Sequence, residues 1–499
     1  MKKYKLEIII FLVNAVYMIL ELVASRVLSP YFGSSNTVWT SVIGIILLSS
    51  SIGNYLGGKI ADKNNSEKNI RVILAISGVL VCILPLIQKT ILTLISNTII
   101  DLKIGAIIAT IILFFLPSMF IGFLSPIIIK LKLENLEQAG KVSGGIYAIS
   151  TFGGIVGTFL GGFYLLPTFG STITLLILSI ILFASIFIVN GFKFDKKLYL
   201  ILTIILIILN IIMIIFFVNV NKINDALIKS GDIDSDVEYD TQYGKVKIYN
   251  LNINSDTVRV MEIDKGNESA TYVDENKCNE LVFEYTKYYD LMFESDKEIK
   301  NTLMIGGAGY SYPKYFISNY TDKNMDVVEI DEKVTELAKE YFFLDKLILD
   351  YNLDNNKRLN LITEDGRTYL NRNEKKYDAI LNDAFSGNSP AETLTTIEAV
   401  NKIHDSLTEN GMYLTNIISS IDGENSKFIK AEINTLKQVF KNVYAVPCNY
   451  EEDNEKVQNI MVIATDSKLQ LKGEKEIKIS QNEIILTDDC CPVDNLIPD

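Results

Sequence analysis

In the second half of this 499-residue chain, short apolar runs each end in residues that could do chemistry. Gly306-Gly-Ala-Gly309 follows Asn301-Thr-Leu-Met-Ile305, and Glu329 and Asp331 close the run that begins at Met325. Glu364-Asp365-Gly366-Arg367 follows Leu359-Asn-Leu-Ile-Thr363, and Asp383 ends Tyr377-Asp-Ala-Ile-Leu-Asn-Asp383. Glycines such as Gly307 and Gly309 let backbone turn tightly and approach a ligand unobstructed. An acidic side chain about 20 residues further on can hold ribose hydroxyls, which points to Glu329 and Asp331. The bland alternatives are a solvated strand end for Glu329 and an Asx turn or helix N-cap for Asp365, ahead of Gly366.

The elements that must position these residues read as alternating strands and helices, which predicts a parallel sheet with covering helices. A helix is expected over 332–343, with Val334, Leu337, Ala338 and Tyr341 on one face. Further strands are expected at 411–417, 442–446 and 459–464. The four polar clusters then fall beyond the carboxyl ends of four parallel strands, where open α/β sheets bind ligands. Ahead of them, residues 236–274 alternate apolar and polar positions, with Asn, Asp and Gly at the breaks, and predict a small antiparallel sheet.

Composition changes abruptly near Asn221: formal charge is roughly +8 before it and roughly −21 after it. The first part offers about seven apolar runs of the length, roughly 20 residues, that a spanning helix needs. They are 6–28, 38–60, 70–91, 104–129, 142–166, 173–189 and 198–220. A cleaved signal peptide would account only for the first run. Lys and Arg concentrate before the first run and in alternate loops, so the positive-inside rule puts the N-terminus in the cytoplasm. An odd number of spans would then put the C-terminal half outside. Gly153, Gly157 and Gly161 are spaced for close helix packing. Glu21 and Arg26 read as an internal ion pair or an interfacial Arg, ahead of the alternative of a polar site for a substrate or proton, and Pro117 and Pro126 as kinks. The five cysteines lack CxxC spacing and read as small buried thiols, with no metal site. The expected division is a transmembrane domain over 1–221, a small β region over 234–290 and a Rossmann-like, methyltransferase-type domain over 291–499.

The order glycine loop, Val328-Glu-Ile-Asp331, Asp365-Gly366 and Tyr377–Asp383 resembles the spermidine synthase (aminopropyltransferase) family, in its membrane-embedded form fused to transporter-like spans. Leu394-Thr-Thr396, Leu486-Thr-Asp-Asp489 with Pro492, and Glu21–Arg26 with Pro30–Ser34 are similar too. Tyr55–Lys63 resembles the loop between the second and third spans of major-facilitator transporters. The first resemblance implies transfer of an aminopropyl group from decarboxylated S-adenosylmethionine, a co-substrate rather than a bound cofactor, to putrescine or a related amine. It gives Glu329 the ribose, Asp365 and Gly366 the adenine edge, and Asp383 the amine proton. Tyr243, Glu268 and Glu280 are the candidates for amine contacts.

The chain departs from the family pattern at the amine end. Gly309 stands where the glycine loop usually carries Asp, and Ser386 where a second acid follows the catalytic one. Asn279 replaces a His, and Gly244 a Gln. Two alternatives follow: an enzyme that uses S-adenosylmethionine itself as a methyl donor, and a polyamine transporter or sensor without catalysis. Expected partners are the lipid bilayer of the cell membrane, a small polyamine and a second copy of the chain as a homodimer; nucleic acid is not among them.

Overall fold

A computed structural model of the protein describes all residues except 1–3, 33–35, 100, 134, 191–196, 265, 387–388, 449–452, 472–483 and 499. Lys2, Lys3, Lys193 and Lys196 of the loop-charge reading lie outside the described residues, as do Gly33, Ser34, Gly387 and Asn388. The chain forms two compact units. One comprises residues 1–224 and 238–245; the other comprises 225–237 and 246–499.

The first unit is helical: α1 (Lys5–Phe32), α2 (Asn36–Lys63), α3 (Glu67–Thr98), α4 (Leu102–Thr110), α5 (Leu116–Gly122), α6 (Leu124–Lys132), α7 (Ala139–Leu160), α8 (Leu166–Asn190) and α9 (Lys197–Lys229). Six continuous helical stretches among the described residues are long and apolar enough to cross a membrane. The fifth runs 54 residues, about 80 Å if straight, against a hydrocarbon core of about 30 Å. It breaks at Gly170, where φ is +73°, between the fifth and sixth runs read from sequence. The six stretches and the seven runs therefore cover the same segments.

Glycine spacing on α7 has the expected cause. A Cβ on Gly153 would lie 2.3 Å from the Phe11 carbonyl oxygen, and one on Gly157 2.5 Å from that of Ala15. The backbones of α1 and α7 touch along this stripe. A π turn at Ile111–Phe115 interrupts the fourth stretch just ahead of Pro117, as expected where proline removes a helical donor. Arg26 donates to the Gln242 carbonyl, and no pair with Glu21 forms among the described residues, which corrects the ion-pair reading. Tyr55–Lys63 is helical, the last turns of α2 rather than a loop. Asp240 accepts from the Ser171 N–H at 3.0 Å and its hydroxyl at 2.7 Å, capping the helix that restarts after Gly170.

The described strands form two main sheets. Strands β1 (Asp236–Asp240), β2 (Lys245–Ile253), β3 (Asp256–Ile263) and β4 (Gly266–Tyr272) form one in sequential order, the small sheet expected; β3 pairs antiparallel with β2 and β4. The larger sheet uses β5 (Asn301–Ile305), β6 (Asn324–Glu329), β7 (Leu359–Thr363), β8 (Tyr377–Asn382), β11 (Leu407–Ser419), β12 (Asn442–Pro447) and β13 (Gln458–Thr465). Two-residue strands β9 (Phe385–Ser386) and β10 (Ser389–Pro390) pair with each other. The seven strands lie in the order β12-β13-β11-β8-β5-β6-β7. Strand β13 runs antiparallel to β11 and β12, whereas β11, β8, β5, β6 and β7 are mutually parallel. This is the Rossmann-like, methyltransferase-type order.

Helices α10 (Ser311–Asn319), α11 (Glu332–Tyr341), α12 (Leu344–Asp350), α13 (Leu353–Asn356), α14 (Gly366–Arg372), α15 (Glu392–Thr395), α16 (Ile397–Ser406) and α17 (Lys427–Leu436) fill the connections. Every residue of β8 is buried, which explains its apolar run: central parallel strands are covered on both faces. Helix α11 buries the stripe Val334, Leu337, Ala338 and Tyr341, as the 3.6-residue period requires. No disulfide forms among the described residues; Cys278 and Cys448 are buried, but Cys490 is exposed, against expectation.

Candidate active site

Strand order puts β5 beside β8, with Ile305 opposite Asn382. The chain leaves β5 toward β6 and β7 on one side and resumes with β8 on the other, so this is the point where the sheet switches direction and a crevice opens. The two following loops touch. The Asp383 N–H donates to the Ile305 carbonyl at 2.9 Å. Gly306 takes φ +93°, and a Cβ there would stand 2.3 Å from the Asp383 carbonyl oxygen. Only glycine satisfies both conditions.

A cleft opens over this junction, lined by Glu268, Ser269, Tyr285, Gly307, Tyr312 and Asp383 among others. Asp383 stands at its floor. The Tyr285 hydroxyl donates to Oδ2 at 3.1 Å, and Asn416 Nδ2 reaches Oδ1 at 3.4 Å. Burial pushes the carboxyl up to about 6, against the pull of Tyr285, Asn416 and Tyr289. A carboxylate so placed suits a proton acceptor working near neutrality.

Glu329 does more than its sequence position suggested. Its Oε2 accepts from the Gly307 and Ala308 N–H groups at 2.8 and 3.0 Å, and Oε1 from the Asp331 N–H at 3.0 Å. Burial raises its pKa, opposed by these three backbone donors. Glu329 thus holds the glycine loop in shape. Asp331 caps α11 through the Lys333 N–H at 3.0 Å, and Asp365 caps α14 through the Thr368 N–H at 2.8 Å, so the N-cap alternative describes Asp365 as the structure has it. A Cβ on Gly366 would lie 2.6 Å from Ile305 Cγ2, so this glycine answers to packing against β5.

Gly309 has a physical cause as well. A Cβ there would meet Ser269 Oγ at 2.7 Å and the Phe342 ring at 2.9 Å. Strand β4 and Phe342 occupy the space that an acidic side chain would need. Glu268 lies in the cleft, next to Ser269. Glu280, by contrast, is exposed and is not among the residues that line the cleft. Tyr243 is 47 % exposed and falls in the first unit.

Sequence reasoning missed Tyr285, Tyr289 and Asn416. The available signal was the aromatic run Phe283, Tyr285, Tyr288 and Tyr289 just ahead of β5. That segment is braced by Asp290, which accepts from the hydroxyls of Tyr312, Tyr315 and Tyr320 at 2.8, 3.0 and 3.2 Å. Three motifs noted in the sequence converge elsewhere: Asp488 pairs with Arg367 at 2.8 Å and accepts from Thr396 Oγ1 at 2.7 Å. They tie the C-terminal segment to α14 and α16.

Residues 286–472 match the Spermine/spermidine synthase domain. Over 176 residues it is 30 % identical to the polyamine aminopropyltransferase of Vibrio vulnificus, covering 34 % of this chain and 54 % of that protein. Over 129 residues it is 31 % identical to that of Clostridium beijerinckii, covering 25 % and 44 %. The chain spans about half the length of the curated relatives it matches. Among solved structures, a probable spermidine synthase from Corynebacterium glutamicum shares 19 % identity with a TM-score of 0.40, over 47 % of this chain and 81 % of that one. The synthase match begins just past Tyr285, so Glu268 and Tyr285, which complete the cleft, stand ahead of it.

Proposed function

We propose that the protein is a membrane-bound polyamine aminopropyltransferase, moving an aminopropyl group from decarboxylated S-adenosylmethionine to putrescine or a related amine. Residues 1–221 form its membrane domain in the cell membrane, 234–290 its small β region and 291–499 its Rossmann-like domain. The observation that carries the reading is Asp383, a carboxylate at the sheet's switch point, hydrogen-bonded by Tyr285 and facing the glycine loop across one cleft.

In this mechanism the adenosyl group lies along the loop after β5. Glu329 shapes that loop and has lone pairs left for ribose hydroxyls. Asp365 and Gly366 flank the adenine, Gly307 and Gly309 admit the nucleotide backbone-first, and Asp331 fixes α11. The amine nitrogen attacks the methylene carbon beside the sulfonium. The carbon–sulfur bond breaks with its electron pair going to sulfur, giving methylthioadenosine, and the amine's proton passes to Asp383. Positioning of amine and carbon supplies the remaining rate.

Purified full-length protein in detergent, given decarboxylated S-adenosylmethionine and putrescine, is expected to release methylthioadenosine and a triamine. Release of S-adenosylhomocysteine from S-adenosylmethionine instead, or no product from either nucleotide, would overturn the assignment.

A further inference from the structure

The cleft holds a carboxyl group that the transfer mechanism leaves unused. Glu268 enters from β4, and its Oε1 is shielded from solvent with no hydrogen-bond partner among the described residues. Every nearby acid is of the same sign: Asp383, Glu329 and Asp264 all bear on it. Burial, reinforced by these neighbours, raises its pKa well above the ordinary carboxyl value. A buried acceptor left bare is costly because it has given up its hydrogen bonds to water, so its persistence in a cleft calls for a ligand that satisfies it.

The complement of an unpartnered carboxyl among other carboxylates is a cation with N–H donors. We infer that Glu268 is the binding residue for a primary alkylammonium group, and that it fixes the preference of the cleft for decarboxylated, cationic substrates over an amino-acid end. This rests on the aminopropyl-transfer reading and deepens it. Gly309 leaves the glycine loop without an acidic side chain, and the strand filling that space is β4, which brings in Glu268 one residue before Ser269. A carboxyl group is thus brought to the cleft from β4 rather than from the glycine loop, and a bound cation would draw it into its charged form. A carboxylate-bearing methionine tail would face Glu268 and Asp383 together and be repelled. The ammonium can belong to the aminopropyl donor or to the diamine acceptor; both present the same group.

Calorimetry on full-length wild type and Glu268→Gln, an isosteric change, separates the cases. The probes are decarboxylated S-adenosylmethionine, putrescine and methylthioadenosine, which keeps the nucleoside but has no ammonium. The expected result is a tenfold or greater loss of affinity for decarboxylated S-adenosylmethionine or for putrescine in the variant, with methylthioadenosine unchanged. Loss confined to the nucleotide assigns the donor's ammonium; loss confined to putrescine assigns the acceptor's. Equal affinities for all three in both proteins, or equal loss for all three, would overturn the subsite. Wild type that binds putrescine, but no adenosyl compound, with putrescine affinity lost in the variant, would overturn aminopropyl transfer while leaving the ammonium subsite standing.

Discussion

Replacing Asp383 by Asn keeps the shape of the side chain and removes its charge. Two effects of opposite sign follow. Loss of a positioned proton acceptor typically costs about 10²–10⁴ in rate, or about 3–5 kcal/mol of transition-state stabilisation. Stability moves the other way. The folded carboxyl titrates at about 6 against an ordinary 3.8, so the folded state keeps a proton that the unfolded chain releases. Its contribution to stability is fully present below the unfolded value and is lost as pH rises through about 6. At 1.36 kcal/mol per unit the shift corresponds to about 3 kcal/mol, trimmed to about 2 kcal/mol because the group opens to the cleft and is partly screened. Asn carries no such loss. At pH 8 the variant should melt about 4–8 °C higher, at roughly 2–4 °C per kcal/mol, and the gain should shrink to nothing by pH 4. Methylthioadenosine release and thermal melts at both pH values check the pair. Turnover within fivefold of wild type, or a lower melting temperature at pH 8, would refute the placement of this charge.

Other outcomes follow from the same geometry. Tyr285→Phe removes the donor that holds the Asp383 carboxyl down; the acid limb of the pH–rate profile should move upward and turnover at pH 7 should fall, read by initial rates from pH 5 to 9. Gly306→Ala forces a Cβ against the Asp383 carbonyl at positive φ, and should cost about 1–3 kcal/mol of stability together with most nucleotide affinity, measured by melting and calorimetry. Gly309→Asp adds an acid to the glycine loop but collides with Ser269 and Phe342; a lower melting temperature without higher turnover is expected. Asp240→Ala removes the cap after Gly170 and should cost about 1 kcal/mol, seen as a lower melting temperature in detergent.

How much of this was legible beforehand depends on the range of the interaction. The five parallel strands and α11 were readable, because burial on both faces imposes continuous apolar runs on strands such as β8, and burial on one face imposes the stripe 334, 337, 338, 341 on a helix. Asp383 and Glu329 were readable because each ends such a run. That Glu280 lies exposed and off the cleft lining was not readable, because adjacency to a motif position says nothing about which way a turn faces. The pairing of Arg26 with the Gln242 carbonyl, more than 200 residues away, leaves no local trace in composition.

By itself the sequence determined which segments are apolar enough to cross a membrane, and that clusters of glycine and acidic residues stand at the ends of parallel strands. Both are properties of runs of neighbours along the chain. Only the tertiary structure decided that Glu268 and Tyr285, from elements ahead of the parallel sheet, share one cleft with Asp383. It alone showed that Glu329 shapes the glycine loop and that Gly309 has no room for a side chain. Those facts depend on distances across the fold, set by how β4 packs over the loop after β5, and no spacing along the chain encodes them.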